Sequence, residues 1–309
     1  MKSVIIFSIS FLFSSLVWSQ EQKPEVLIMG TMHDVPKIVK HAYKPLLKIA
    51  ITYEPDAIYT EHNRPHDSLS LANDESQFFL PYSDSISKIF QEEKQRTLTL
   101  TKKDITNMTS EDFEYLKHYY AVQKDKANWY YYQYLHKYGI KGSKKPLRHE
   151  NGDLTSKLAI AMGMNFIYSM DYQKEAPEYS RLWRQCIKQS RKDGEIEYLV
   201  KHNKRDYRKH ILPGLFGNLG TYSNKQSSIR RYRVSNRFEF RKTPFEPCKK
   251  AGEVWDRRNA GMAKNIGEQV LEYNHTRAIV IVGAGHVLGI KEELEKQFPE
   301  LRVRILDED

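Results

Sequence analysis

Apolar positions along the chain fall into short continuous runs separated by longer stretches of helical period. EVLIMG (25–30), DAIYTE (56–61), NFIYSMD (165–171) and the segments 277–283 and 301–306 predict strands. Between them, VKHAYKPLLKIAITY (39–53) predicts a helix that Pro45 kinks or delays. Residues 67–138 read as mainly helical, and the Tyr/Leu/Trp stripe in their second half is a core face. DLTSKLAIAMG (153–163) predicts a helix with Asp153 and Thr155 as caps, and 251–274 and 286–297 predict two more. Strands alternating with helices pair in parallel through right-handed crossovers. The expectation is an α/β fold, a mostly parallel sheet of about five strands flanked by helices. One domain spans 20–309, with a helical segment at 67–160 and a basic insertion at 176–250.

Charge changes this picture in one place. The chain of 309 residues carries a net charge of +10, and residues 181–250 hold 19 Lys and Arg against 6 Asp and Glu. Past His210 the insertion shows no clear helical period, so an irregular arm is expected there. An anionic glycan or a lipid surface would suit it as a partner, whereas nucleic acid is not expected. Residues 1–19, MKSVIIFSISFLFSSLVWS, combine an early lysine, an apolar stretch and a small-residue exit. They read as a signal peptide cleaved near Ser19/Gln20, which predicts a periplasmic or secreted protein. Cys186 and Cys248, the 2 cysteines of the chain, could pair in an oxidising compartment.

The candidate chemistry lies at strand ends. VLIMGTMHDV and IVIVGAGHVL share one form: an apolar run, a glycine (Gly30, Gly283), two residues, then a histidine (His33, His286). Glu61 and Asp171 end two further strands. In an open parallel sheet, ligands bind outside the carboxyl ends of the strands, so these side chains should converge. His33, Glu61 and His286 are a common ligand set for a catalytic divalent ion such as Zn, Mn or Co. The same set also works without metal, with His33 as general base and Glu61 setting its tautomer. Arg258 could hold an oxyanion or form a salt bridge to Glu61 or Asp171; Arg257 competes for the role. Asn259 can donate and accept. His62 is an outlying candidate, and RHENGD (148–153) and KHNKRDYRKH (201–210) read as solvated charge.

Gly30-Thr31-Met32-His33, Glu61, Arg258-Asn259-x-x-Met262 and Gly283-Ala284-Gly285-His286 resemble the TraB/GumN and Tiki group. That group sits in a wider set with erythromycin esterase and ChaN-like proteins. The likeness covers 25–62 and 251–306, and the basic arm departs from the usual pattern. It implies an α/β core and a site at His33, Glu61, Arg258, Asn259 and His286. It also implies metal-dependent peptide cleavage or ester hydrolysis on a peptide or small-molecule substrate. The ChaN-like alternative implies a non-catalytic protein that binds haem or another anionic ligand.

Overall fold

The computed structural model describes residues 23–33, 35–73 and 78–307. The expected signal peptide lies outside the described residues. Among them, no helix is long and apolar enough to cross a membrane.

The fold is α/β: five parallel strands flanked by helices. They are β1 (Glu25–Thr31), β2 (Ala57–Asn63), β3 (Tyr168–Asp171), β4 (Arg277–Gly283) and β5 (Arg302–Ile305). The sheet order is β3-β2-β4-β1-β5, so β4 inserts between the first two strands of the chain. Its register sets Gly30 beside Val282 and Thr31 beside Gly283, while Thr60 of β2 pairs with Ile281. The ends that carry both Gly-x-x-His corners and the glutamate are therefore neighbours.

Both faces of the sheet are covered, which is why its strands are apolar runs rather than alternating ones. Leu27, Met29, Ile58, Ile279 and Ile281 pack against a helical layer that includes Tyr131, Tyr132 and Leu135. Val26, Ile28, Tyr59, Val280 and Val282 pack against Met262, Ile266 and Ile290 on the other face. The aromatic stripe of the helices Ser110–Val122 and Lys126–Tyr138 is thus core, as is Met262.

Several expected elements differ in extent. The first helix starts at Lys44, with Pro45 in its first turn, where the missing N–H costs nothing. β3 begins at Tyr168 because Asn128 takes the preceding backbone, accepting from the Ile167 N–H at 2.8 Å. The helix expected at 153–163 is a wide π-type turn (Asn151–Ser156) followed by a short helix (Lys157–Ala161). The insertion opens with the helices Ala176–Lys192 and Ile196–Leu215, and past His210, where an irregular arm is expected, it stays helical through Leu219–Ser223 and Gln226–Asn236. The last residues of the 176–250 stretch already belong to the long helix Glu246–Glu272. Cys186 and Cys248 form a disulfide, with Cα atoms 5.0 Å apart, that ties the first of these helices to the long one. A small cluster of Leu182, Ile187, Phe238, Phe240 and Val254 packs around it.

Candidate functional site

Glu61, near the end of β2, is the hub. One carboxylate oxygen accepts from the Gly283 N–H at 2.9 Å, and the other from Arg258 Nη2 at 2.9 Å. His33 Nε2 stands 3.7 Å from the first oxygen, and His286 Nε2 stands 3.6 Å from the second. The strand ends therefore bring His33, Glu61 and His286 together, as the sequence pattern predicts. Gly283 forms the floor: a Cβ there would lie 3.0 Å from His33 Nε2 and 3.2 Å from Glu61 Oε2.

The two histidines have opposite environments. His286 is buried and stacks on Trp255, with ring centroids 4.0 Å apart. Its Nδ1 lies 2.6 Å from Asn259 Oδ1, so Nδ1 carries the proton and the Nε2 lone pair faces Glu61. Burial, with the Arg258 and His33 charges, depresses its pKa well below the usual value, so this ring is neutral. His33 has a side chain 60% exposed. Its Nδ1 lies 2.7 Å from Glu150 Oε1, and that bond, helped by the charges of Glu61 and Glu150, raises its pKa to about 9 against the opposing effect of burial. Burial pushes the Glu61 carboxyl up, while Arg258 pulls it back.

Glu150 is a correction to the sequence reading of RHENGD as solvated charge. Glu150 is 8% exposed and Asp153 is 7% exposed. Glu150 accepts from Thr31 Oγ1 as well as holding His33, so it links both residues of the β1 corner. It sits just before the π-type turn, a local irregularity that frequently marks functional sites. Asp153 accepts from the Arg148 N–H and from Lys157 Nζ, which braces the same turn.

Asp171, the further strand-end candidate, takes the salt-bridge role with Arg258 that the sequence also allowed. Its fully buried carboxylate accepts from Arg258 Nη2 at 2.9 and 3.0 Å, from the Tyr172 N–H and from Gln173 Nε2. With these donors on it, Asp171 anchors Arg258. Arg258 makes the salt bridges to Glu61 and Asp171, whereas Arg257 pairs with Glu175 and Glu178 at the surface. Among the described residues, the bonds to Arg258 all run through Nε and Nη2, leaving Nη1 without one. His62 stacks on Tyr130 at 5.5 Å, and burial lowers its pKa to about 4. It does not join the Glu61 contacts.

The corner brings together imidazole nitrogens and a carboxylate, the donor types that divalent ions take. Both histidines give Nδ1 to an oxygen partner, the arrangement that orients an Nε2 ligand. The nitrogen–oxygen separations of 3.7 and 3.6 Å are near the ligand–ligand edge, about 3.4 Å, of a tetrahedron with bonds near 2.1 Å. The set is not closed: the histidines address different oxygens of Glu61, and Arg258 shares that carboxylate. Among the described residues, no three His, Cys, Asp or Glu side chains stand as a ready-made metal cluster.

Compared with protein-family models, curated proteins and solved structures, the chain finds no match.

Proposed function

We propose that this protein is a hydrolase that cleaves an ester or peptide bond at the His33–Glu61–His286 corner. The observation that carries the reading is the exposed His33 ring, held through Nδ1 by buried Glu150 while Nε2 stands 3.7 Å from Glu61. A water molecule fits the chemistry between that nitrogen and that oxygen. Neutral His33 takes its proton, and Glu150 stabilises the imidazolium that forms. The hydroxide attacks the substrate carbonyl carbon, and Arg258 Nη1 is the donor left to meet the oxyanion. The imidazolium then returns its proton to the leaving group as the carbon–oxygen or carbon–nitrogen bond breaks. Asn259 fixes the His286 tautomer, and Asp171 fixes Arg258.

A metal-dependent route is the alternative arm of this proposal, since His33 Nε2 cannot both bind an ion and take a proton. His33, Glu61 and His286 would hold a divalent ion, which supplies hydroxide at neutral pH. The committed Nδ1 atoms of both rings favour this arm. The resemblance to TraB/GumN and Tiki-like proteins supports the hydrolytic reading. The disulfide suits a secreted or periplasmic location.

The test is a panel of ester and peptide substrates offered to residues 20–309, before and after chelation. Hydrolysis in the parent that vanishes in a folded His33→Ala variant is expected. Loss on chelation, restored by zinc, manganese or cobalt, assigns the metal arm; indifference to chelation assigns His33 alone. No hydrolysis across the panel, with or without added metal, overturns the reading, and a haemin titration would then test the binding alternative.

A further inference from the structure

Arg258 belongs to a second space besides the Glu61 corner. With Tyr179, Val254 and Trp255 it lines a pocket of about 200 Å³. A cavity of about 150 Å³ already admits a benzene ring, so a phenyl-sized group fits. Two of the lining residues tie this pocket to the candidate site. Arg258 Nη2 donates to Glu61 at 2.9 Å, and the Trp255 ring stacks on His286. Tyr179 stands against Trp255, with ring centroids 5.3 Å apart. His286, Trp255 and Tyr179 are thus a row of three rings that runs from the corner to the pocket wall.

The polar groups of the lining are largely engaged. The Tyr179 hydroxyl donates to the Asn236 carbonyl at 3.1 Å, and Gln173 Nε2 donates to Asp171 at 2.7 Å. The Glu175 carboxylate is paired with Arg257. Arg258 is balanced by two carboxylates, Glu61 and Asp171, so a third anion beside it would be repelled. Its Nη1 carries no bond among the described residues and remains a donor. A pocket with aromatic walls, no unpaired charge and a donor at its edge matches a neutral ring borne next to an acceptor oxygen.

We propose that the Tyr179–Trp255 pocket takes an uncharged aromatic ring on the acyl side of the substrate, while the adjoining carbonyl oxygen accepts from Arg258 Nη1. This rests on the hydrolase reading and names its substrate class: esters or amides of aryl-substituted acids. Arg258 is shared by pocket and corner, so a ring seated against it leaves its carbonyl on the side of Glu61. The arriving ring extends a row of aromatic planes that the fold has already built.

The experiment uses residues 20–309 with their disulfide intact. Binding of phenylacetamide, hexanamide and acetamide is measured by ligand-observed NMR titration. Hydrolysis of the matching ethyl esters, which carry no ring in the leaving group, is followed by acid release at constant pH. Phenylacetamide is expected to bind at least about tenfold more tightly than acetamide, with hexanamide between them. The kcat/KM of ethyl phenylacetate should exceed that of ethyl acetate by at least about tenfold as well. Ala176→Phe fills the pocket from the first turn of the helix Ala176–Lys192 and should remove both preferences. Ser180→Phe, on the same helix, is the substitute should Ala176→Phe fail to fold. Phenylacetamide that binds no more tightly than hexanamide or acetamide overturns the proposal, as does a preference that persists in a folded filled variant. So does cleavage of both esters at equal kcat/KM. Amides that bind as expected while no ester or amide is cleaved uphold the pocket and overturn the hydrolase reading instead.

Discussion

The contrast between His33 and His286 carries the chemistry at the scale of single residues. Both follow a glycine at the end of a parallel strand, yet one ring faces solvent on a carboxylate and the other is sealed against Trp255. The His33–Glu150 pair makes pH a direct probe. The His33 pKa is raised from 6.5 to about 9, first by the Glu150 bond. A raised folded-state pKa stabilises the fold fully below the unfolded value, and that contribution is lost as pH rises through the folded value. Thermal midpoints should therefore fall between pH 6.5 and about 9, and Glu150→Gln should flatten that slope. If neutral His33 is the base, the rate should climb about tenfold per pH unit and level off near pH 9. In Glu150→Gln the levelling point should move down. An identical profile in both proteins would remove Glu150 from the mechanism.

The placement of the site at the scale of elements follows from β4 lying between β1 and β2. This insertion sets the two glycine corners side by side and brings the Gly283 N–H onto Glu61. Gly283→Ala should lower the hydrolytic rate at least about tenfold, because its methyl takes the space between His33 and Glu61. Stability should change by about 1 kcal/mol or less, since the exposed His33 ring can give way. A variant with parental activity would show that this floor is not where substrate or water sits. The disulfide closes a separation of 62 residues and joins the helix Ala176–Lys192 to the long helix that carries Arg258 and Asn259. Its reduction should cost about 4 kcal/mol, measured by urea unfolding with and without reductant. Equal midpoints would show that the core cluster around it holds the arm unaided.

Legibility divides along the same line for the whole molecule. The strands and the long helix could be read from sequence because their burial is local: runs such as AIVIV are sealed on both faces wherever they pair. The convergence of His33, Glu61 and His286 followed from one rule about parallel strand ends. Glu150 could not be read so. Its partner His33 is 117 positions away, and only the tertiary fold turns an acidic residue in a polar stretch into a buried one. The helices past His210 escaped for a related reason: Leu219–Ser223 and Gln226–Asn236 bury only a few residues each, so no stripe marks them as core-facing. Asp171 was legible both as a strand-end carboxylate and as one of two salt-bridge partners for Arg258; that Arg258 takes Asp171 and Glu61 together needed the fold.

Glu61 touches every member of the corner, so its carboxylate is the most direct test of a hydrolytic site there. The measurement is the hydrolytic rate of Glu61→Gln beside the parent, on the best substrate of the panel, with circular dichroism to verify folding. The account predicts a folded variant whose rate falls at least about a hundredfold, because the amide cannot serve as the anionic partner of the water and Arg258. A folded Glu61→Gln protein that hydrolyses at the parental rate would contradict it.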